Sequence, residues 1–423
     1  MSQDRNERLL DQLAFAECRD TTFPFKNPPL VLDKAQGSYI WDVEGRRYTD
    51  LCAGFGALPL GHAHESVIQH LKKVCSGHAK NMPGIIHGLG DVYPSRAKID
   101  LFLLLKKILP KHLDKGSFAL SGSQAVEIAV KTALLATGKV GFIVFQGGYH
   151  GLDLGVLPLT SREDFRQPFL PWIKTGHVKT LPFNCEKSVV ERALKEQRKA
   201  GVGTAGILVE PIQGRAGVIP AKCGWLESLY DLSKQYGTLL IFDEIFTGLG
   251  RCGPLTHAEK VPCDLLCLGK AVGGGFPLSA CFGTKKAMDA WPKSSGEALH
   301  TGTFFGHPFS CEIGAITVQA IIKEKLHRRS EKLGKKILQA MCKMVEEISI
   351  VREVRGKGLM IAIEFIKPGL GVVAMNHLRK EGIIALVGGS DGRCLSLTPP
   401  LNIEEDIFFE ALNRLIHVLR AMT

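Results

Sequence analysis

The order of apolar and polar positions divides the chain into two stretches of different character. Through the middle, short continuous apolar runs alternate with longer segments whose apolar residues recur at helical spacing. GFIVFQ (141–146), GILVEPI (206–212), TLLIFDEI (238–245) and DLLCLG (264–269) have the unbroken apolar character of buried strands. Between them, GWLESLYDLSKQYG (224–237) puts Leu226, Leu229 and Tyr230 on one helical face and stops at Gly237. Strand, helix and strand in that order predict parallel strands joined by helical crossovers. SGSQAVEIAVKTALLATG (121–138) predicts a further helix, with Val126, Val130, Ala133 and Leu134 in its apolar stripe.

From about residue 310 the pattern changes to long amphipathic helices, then RGKGLMIAIEFI, IIALVGG and CLSLTPPL, then a last helix. That helix is expected to open on Asn402 and Glu405 in capping-box spacing and to bury Ile407, Phe408, Ala411, Leu412, Leu415 and Leu419. A second, smaller α+β lobe follows from this pattern. The 423 residues also exceed what one core serves, so a large domain with a smaller lobe is expected. No internal repeat, low-complexity tract or long linker interrupts it.

Composition narrows the classes. Hydrophobic residues at 45% and charged residues at 22% suit a globular chain in water. The start MSQDRNERLL has no apolar signal-type region, which predicts a cytoplasmic protein. Runs such as LFLLL are broken by lysines far short of the roughly 20 residues of a membrane span. The twelve cysteines include no CxxC pair, and the closest spacing, Cys263 with Cys267, lies on an apparent strand without histidines nearby; reduced thiols and no metal are expected. A net charge of 53 − 42 = +11 could point to nucleic acid. The basic residues are scattered, however, and the densest stretch, HRRSEKLGKKILQAMCK, has the spacing of a solvated amphipathic helix, so no nucleic-acid partner is expected.

Candidate chemistry gathers at strand ends. In CLGKAVGGGFPLSA (267–280) an apolar run ends at Lys270 and gives way to Gly273, Gly274 and Gly275, an odd setting for a surface lysine. Asp243 ends a strand of apolar residues and needs a cationic or hydrogen-bonding partner. Adjacent parallel strands would bring Asp243 and Lys270 to one carboxyl-end crevice, as a catalytic pair or as a structural ion pair. Gly122 and Ser123 open a helix, where free amides and a hydroxyl can hold a phosphate or simply cap the helix. GLGRCG (248–253) matches a dinucleotide fingerprint formally, but Pro254 follows and no helix opens there; GVGTAG (201–206) precedes a strand instead of following one.

LIFDEIFTGLGR followed by DLLCLGKAVGGGFPLSA, with SGSQAVE and GGYHG upstream and TGTFFGHPFSC downstream, resembles the class III aminotransferases, relatives of the acetylornithine, ornithine and 4-aminobutyrate enzymes. The resemblance runs from GSYIWDVEGRRYTDLCAGFGALPLGHAH to LSLTPPLNIEEDI. It implies an α/β protein of fold-type I, with a mostly parallel sheet in a large domain at 61–308. A smaller lobe would combine an N-terminal segment, 1–60, with a C-terminal α+β domain, 309–423. The implied activity is transfer of an amino group from a primary amine or ω-amino acid to a keto acid through pyridoxal 5′-phosphate. An aminomutase, racemase or lyase on the same scaffold is the alternative, and a non-enzymatic binding protein would be expected to have lost the lysine.

By the same resemblance Lys270 forms the Schiff base with the cofactor and its released amine moves the proton between substrate and cofactor C4′. Asp243 partners the pyridine nitrogen; charges near 4 Å at an effective dielectric near 20 attract by about 4 kcal/mol, enough to hold that nitrogen protonated. Tyr149 stacks on the ring with His150 beside it, Gly122 and Ser123 cradle the phosphate, and Glu210 and Ile245 complete the cofactor site. Thr303 matches a threonine that reaches the phosphate of a neighbouring subunit, which implies a homodimer with shared sites. Arg215, Phe55 and Ser396 fall at substrate positions, and three departures concern them. Phe246 stands where many members carry a glutamine near the cofactor's phenolic oxygen. Arg215 replaces a frequent glutamate, and Ser396 occupies the position of the arginine that clamps a substrate carboxylate. Either Arg215 takes over that task from across the cofactor, or Arg393 does after a local slip in alignment.

Overall fold

The computed structural model describes residues 4–20, 29–77, 87–88, 92–173 and 176–423. Seven strands form the central sheet in the order Lys115–Ala119, Ser279–Gly283, Leu265–Leu268, Leu239–Asp243, Thr204–Val209, Gly141–Phe145, Val178–Leu181. All run parallel except Ser279–Gly283, which pairs antiparallel on both sides. Every residue of Gly141–Phe145, Thr204–Val209, Leu265–Leu268 and Ser279–Gly283 is buried, as unbroken apolar runs require in a sheet covered on both faces. The helix Trp225–Tyr236 makes the crossover between two of them and ends at Gly237, whose φ of 56° carries the left-handed turn.

Three elements differ from the sequence pattern for identifiable reasons. The run 206–212 breaks at Glu210–Pro211, because proline has no N–H for the ladder; Ile212–Gln213 leaves to pair with Ile219–Pro220. IIALVGG divides between two sheets: Ile383–Ile384 runs parallel to Arg47–Asp50, and Leu386–Gly388 pairs antiparallel with Cys394–Leu397. The last helix spans Glu405–Ala421, so Glu405 is its first residue, too early for a capping box, and the cap position is Glu404. Asn402 donates its amide to the Leu60 carbonyl instead.

The C-terminal part holds the helices Pro308–Lys323 and Leu326–Met344 and an antiparallel sheet ordered Val351–Lys357, Met360–Phe365, Cys394–Leu397, Leu386–Gly388. The N-terminal strands Leu32–Gln36, Tyr39–Asp42 and Arg47–Asp50 take Ile383–Ile384 as their fourth. In GLGRCG no helix opens. Arg251, fully buried, donates to the carbonyls of Leu359 and Pro399 and so ties the loop after Asp243 to the C-terminal part. Among the described residues no helix is long and apolar enough to cross a membrane.

Candidate active site

The parallel register fixes the centre of the site. Asp243 lies opposite Cys267, so Lys270, three residues further on, emerges at the same carboxyl end. Both side chains face a cavity of about 560 Å³, whose wall also includes Gly122, Ser123, Tyr149 and Arg215. His150, Glu210, Ile245 and Phe246 line it as well.

Lys270 holds a φ of 44°, a left-handed conformation that a residue with a Cβ rarely adopts and that clusters at functional sites. Its Nζ lies 3.9 Å from the centroid of the Phe246 ring. Burial lowers its pKa to about 8 against the pull of the Asp243 and Glu210 carboxylates, and the charges of Arg215 and Arg251 act in the same direction as burial. The three glycines that follow serve the protein's own packing. A Cβ on Gly274 would stand 2.1 Å from Thr317 Oγ1, and one on Gly275 2.6 Å from Leu58 Cδ2. The chain thus turns tightly against the Pro308–Lys323 helix and the 50s segment, and Gly275 also lines the cavity.

Asp243 has found a partner other than Lys270. Its Oδ2 accepts from His150 Nδ1 at 2.8 Å and its Oδ1 from the Ile245 amide at 3.1 Å. Among the described residues no ion pair joins it to Lys270, so the purely structural Asp–Lys pair is not what is built. His150 is itself fixed, its amide donating to Thr160 Oγ1 at 3.0 Å. Glu210, one strand over, accepts from the Tyr149 amide at 3.0 Å and the Gly214 amide at 2.9 Å. Burial, followed at some distance by the Asp243 charge, pushes its carboxyl up to about 7 while His150 and those two donors hold it down.

The helix Gly122–Thr137 starts at the cavity wall. Ser121 caps it, accepting from the Gln124 amide in a complete capping box, which leaves the Gly122 and Ser123 amides without helical acceptors at the positive end of the dipole. A Cβ at 122 would crowd Ile245, 2.9 Å from its Cδ1. Gly151, with a φ of 114°, is equally constrained, since its Cβ would stand 2.3 Å from Ser123 Oγ. Ser123 Oγ also accepts from the Asp153 amide at 3.2 Å.

Pyridoxal phosphate fits this set of residues. A buried amine able to bond a carbonyl carbon, a carboxylate held by a histidine and a helix start with amides free for a phosphate all face one cavity.

Among the described residues Arg215 is the only arginine on the cavity wall, and its guanidinium carbon lies 5.2 Å from the Tyr149 ring centroid. Among the described residues no ion pair joins it to a carboxylate. Arg393 is taken by Asp391 at a turn, its Nε 2.6 Å from Oδ2, and is not on the wall. Ser396 pairs with Ala362 and Leu386 in the C-terminal sheet, off the wall, and its buried Oγ has no partner among the described residues. Phe55 and Thr303 also lie off the wall of the single chain, both exposed. Sequence reasoning missed Gly151, Leu152 and Asp153, although GGYHG ends at the first of them, and Phe276 and Pro277, which directly follow the glycine run. Ala57 carried no signal at all, because it arrives from a segment remote in sequence.

The sequence model of the family described as aminotransferase class-III matches residues 23–419. The chain is 35% identical over 365 residues to the LysW-aminoadipate semialdehyde/glutamate semialdehyde transaminase of Sulfolobus acidocaldarius, covering 85% of this chain and 88% of that one. It is 34% identical over 396 residues to the acetylornithine aminotransferase of Methanopyrus kandleri, covering 93% and 95%. Among solved structures it superposes on the ornithine aminotransferase of Toxoplasma gondii with a TM-score of 0.86 at 26% identity, covering 100% of this chain and 96% of the other. An amine transaminase from an uncultivated Pseudomonas species gives 0.83 at 25% identity, with 96% and 97% covered.

Proposed function

The chain belongs to the class-III aminotransferases and is a pyridoxal-phosphate-dependent aminotransferase of fold-type I, and from that premise we propose that Lys270 carries the cofactor and that Arg215 receives the carboxylate of the acidic substrate. Nothing supports an aminomutase, racemase or lyase reaction. The observation that carries the proposal is the convergence of Lys270, Asp243 and the start of the Gly122–Thr137 helix on one cavity. When bound, the cofactor's ring supplies an electron sink for the charge released at the substrate carbon.

The chain's residues divide the remaining work. Asp243, steadied by His150, would hold the cofactor's ring nitrogen protonated, and Tyr149 would pack against its ring. The Gly122 and Ser123 amides hold the phosphate, and Ile245 packs where that helix meets the Asp243 loop. The Lys270 amine, with its pKa lowered to about 8, would serve as the base that moves the substrate's proton. The donor is an ω-amino acid or primary amine and the acceptor a keto acid. Arg215 is favoured for the carboxylate because Arg393 is occupied and neither Ser396 nor Phe55 reaches the wall. Arg215→Ala is expected to raise the KM for the acidic substrate at least tenfold, the loss of a charge-assisted pair, while leaving the absorbance of the bound cofactor unchanged. Unaltered kinetics toward every acidic donor and acceptor would remove Arg215 from the substrate site. Consumption of a separate keto acid in step with the amine donor, followed across a panel of amines, identifies the donor.

The site is completed in a homodimer, with Thr303 reaching the phosphate bound by the partner. Support comes from Phe55, Ile99, Leu103, Leu299 and Phe304, large apolar side chains left exposed on the single chain. The division into 1–60, 61–308 and 309–423 rests on the sheets: the seven-stranded sheet draws on residues between 115 and 283, and the strands of 32–50 share a sheet with Ile383–Ile384.

A further inference from the structure

Two loops carry the residues that meet over the cavity, and one side chain fastens both. Tyr149 lies on the loop after the Gly141–Phe145 strand and Arg215 on the loop after Ile212–Gln213. Glu210 stands between them, one residue beyond Val209, which pairs with Phe242 and so sets Glu210 beside Asp243. Each of its oxygens takes one donor: Oε1 the Tyr149 amide at 3.0 Å, Oε2 the Gly214 amide at 2.9 Å. Gly214 is the residue before Arg215. We propose that Glu210 is a positioning residue, a single carboxylate that sets Arg215 against Tyr149 and thereby holds the carboxylate-binding arginine in place. This rests on the reading that Arg215 receives the substrate carboxylate.

The two loops have other contacts as well. Gln213 Nε2 donates to the Gln146 carbonyl at 2.8 Å, the Gly389 amide to the Arg215 carbonyl at 2.8 Å, and Arg355 Nε to the Gly217 carbonyl at 2.9 Å. The Gly389 contact holds the Arg215 backbone from the C-terminal part, whereas Glu210 reaches both the Tyr149 amide and the residue before Arg215.

A carboxylate can accept from both amides, but a carboxylic acid has only one oxygen free of a proton, and a glutamine amide likewise offers one acceptor and one donor. Protonation of Glu210 therefore weakens its hold on one loop. The groups facing it are His150, Asp243 on the neighbouring strand and the Lys270 amine. With its carboxyl pushed up to about 7 by burial and Asp243, the second bond is present above neutrality and lost as pH falls.

The test is calorimetric titration of the holoenzyme with glutarate, a dicarboxylate with no carbonyl to react, across roughly pH 6 to 8.5, the window that brackets a titration near neutrality. In the wild type the Kd is expected to rise roughly fivefold toward the acid end, the worth of one hydrogen bond. Glu210→Gln is expected to show the weaker affinity at every pH, and its KM for 2-oxoglutarate to rise by more than its kcat falls. A wild-type Kd that does not change with pH, a Glu210→Gln enzyme that binds glutarate like the wild type in alkali, or a pH dependence that survives the substitution each overturns the positioning role. A flat wild-type titration overturns the role even where the variant does not fold. Arg215→Ala separates the two readings: glutarate affinity unchanged in that variant removes Arg215 itself, and this inference with it.

Discussion

Lys270 shows how a residue's surroundings turn an ordinary base into a reactive one. Its amine sits against the Phe246 ring, and burial takes its pKa to about 8. In the cofactor-free protein, acylation of Lys270 by an amine-selective reagent is therefore expected to rise with pH and level off above about 8, while exposed lysines keep gaining reactivity toward their ordinary value near 10.4. Peptide-resolved labelling against pH reads this directly, and a Lys270 profile that follows the surface lysines would contradict the lowered pKa. Asp243→Asn is expected to keep the cofactor and lose on the order of 10²-fold or more in kcat, because an amide cannot hold the ring nitrogen protonated. Near-normal turnover would leave Asp243 a structural role only. Both residues were legible in the sequence, because a polar residue that ends a run of buried apolar ones has few explanations. Their partners were not: His150 meets Asp243 across 93 positions, and Phe246 meets Lys270 through the direction of a side chain, which no spacing encodes.

Among the elements, the Gly122–Thr137 helix was the most legible, since its apolar stripe, its Ser121 cap and its closing glycine agree with one another. The pattern could not reveal why residue 122 is a glycine. The helix start presses on Ile245, which immediately follows Glu244 and lies two residues past Asp243, so the helix start and the Asp243 loop are in contact through one side chain. Gly122→Ala is expected to cost roughly 1–3 kcal/mol of overpacking at that contact, read as weaker pyridoxal phosphate affinity in an equilibrium titration. Unchanged affinity would mean that the helix start does not bear on the cofactor. The capping box proposed at Asn402 failed on position: spacing identifies a pair of residues but not where the backbone enters the helix, and Asn402 was already engaged with Leu60.

For the whole molecule, the alternation of strands and helices sufficed to expect a parallel sheet, and the sheet does place its chemistry at the carboxyl ends of neighbouring strands. It did not suffice to expect that the N-terminal strands would share a sheet with Ile383–Ile384, since that pairing joins segments more than three hundred residues apart and leaves no local trace. Thr303 lies off the cavity wall of the single chain, so a role for it in the site rests on the proposed dimer. The account depends first on which residue carries the cofactor. Reduction of the holoenzyme with borohydride, digestion and peptide mapping by mass spectrometry measure that directly. The expected result is one stoichiometric pyridoxyl label on Lys270, lost in Lys270→Ala; a label on any other lysine, or no label on a fully loaded enzyme, contradicts it.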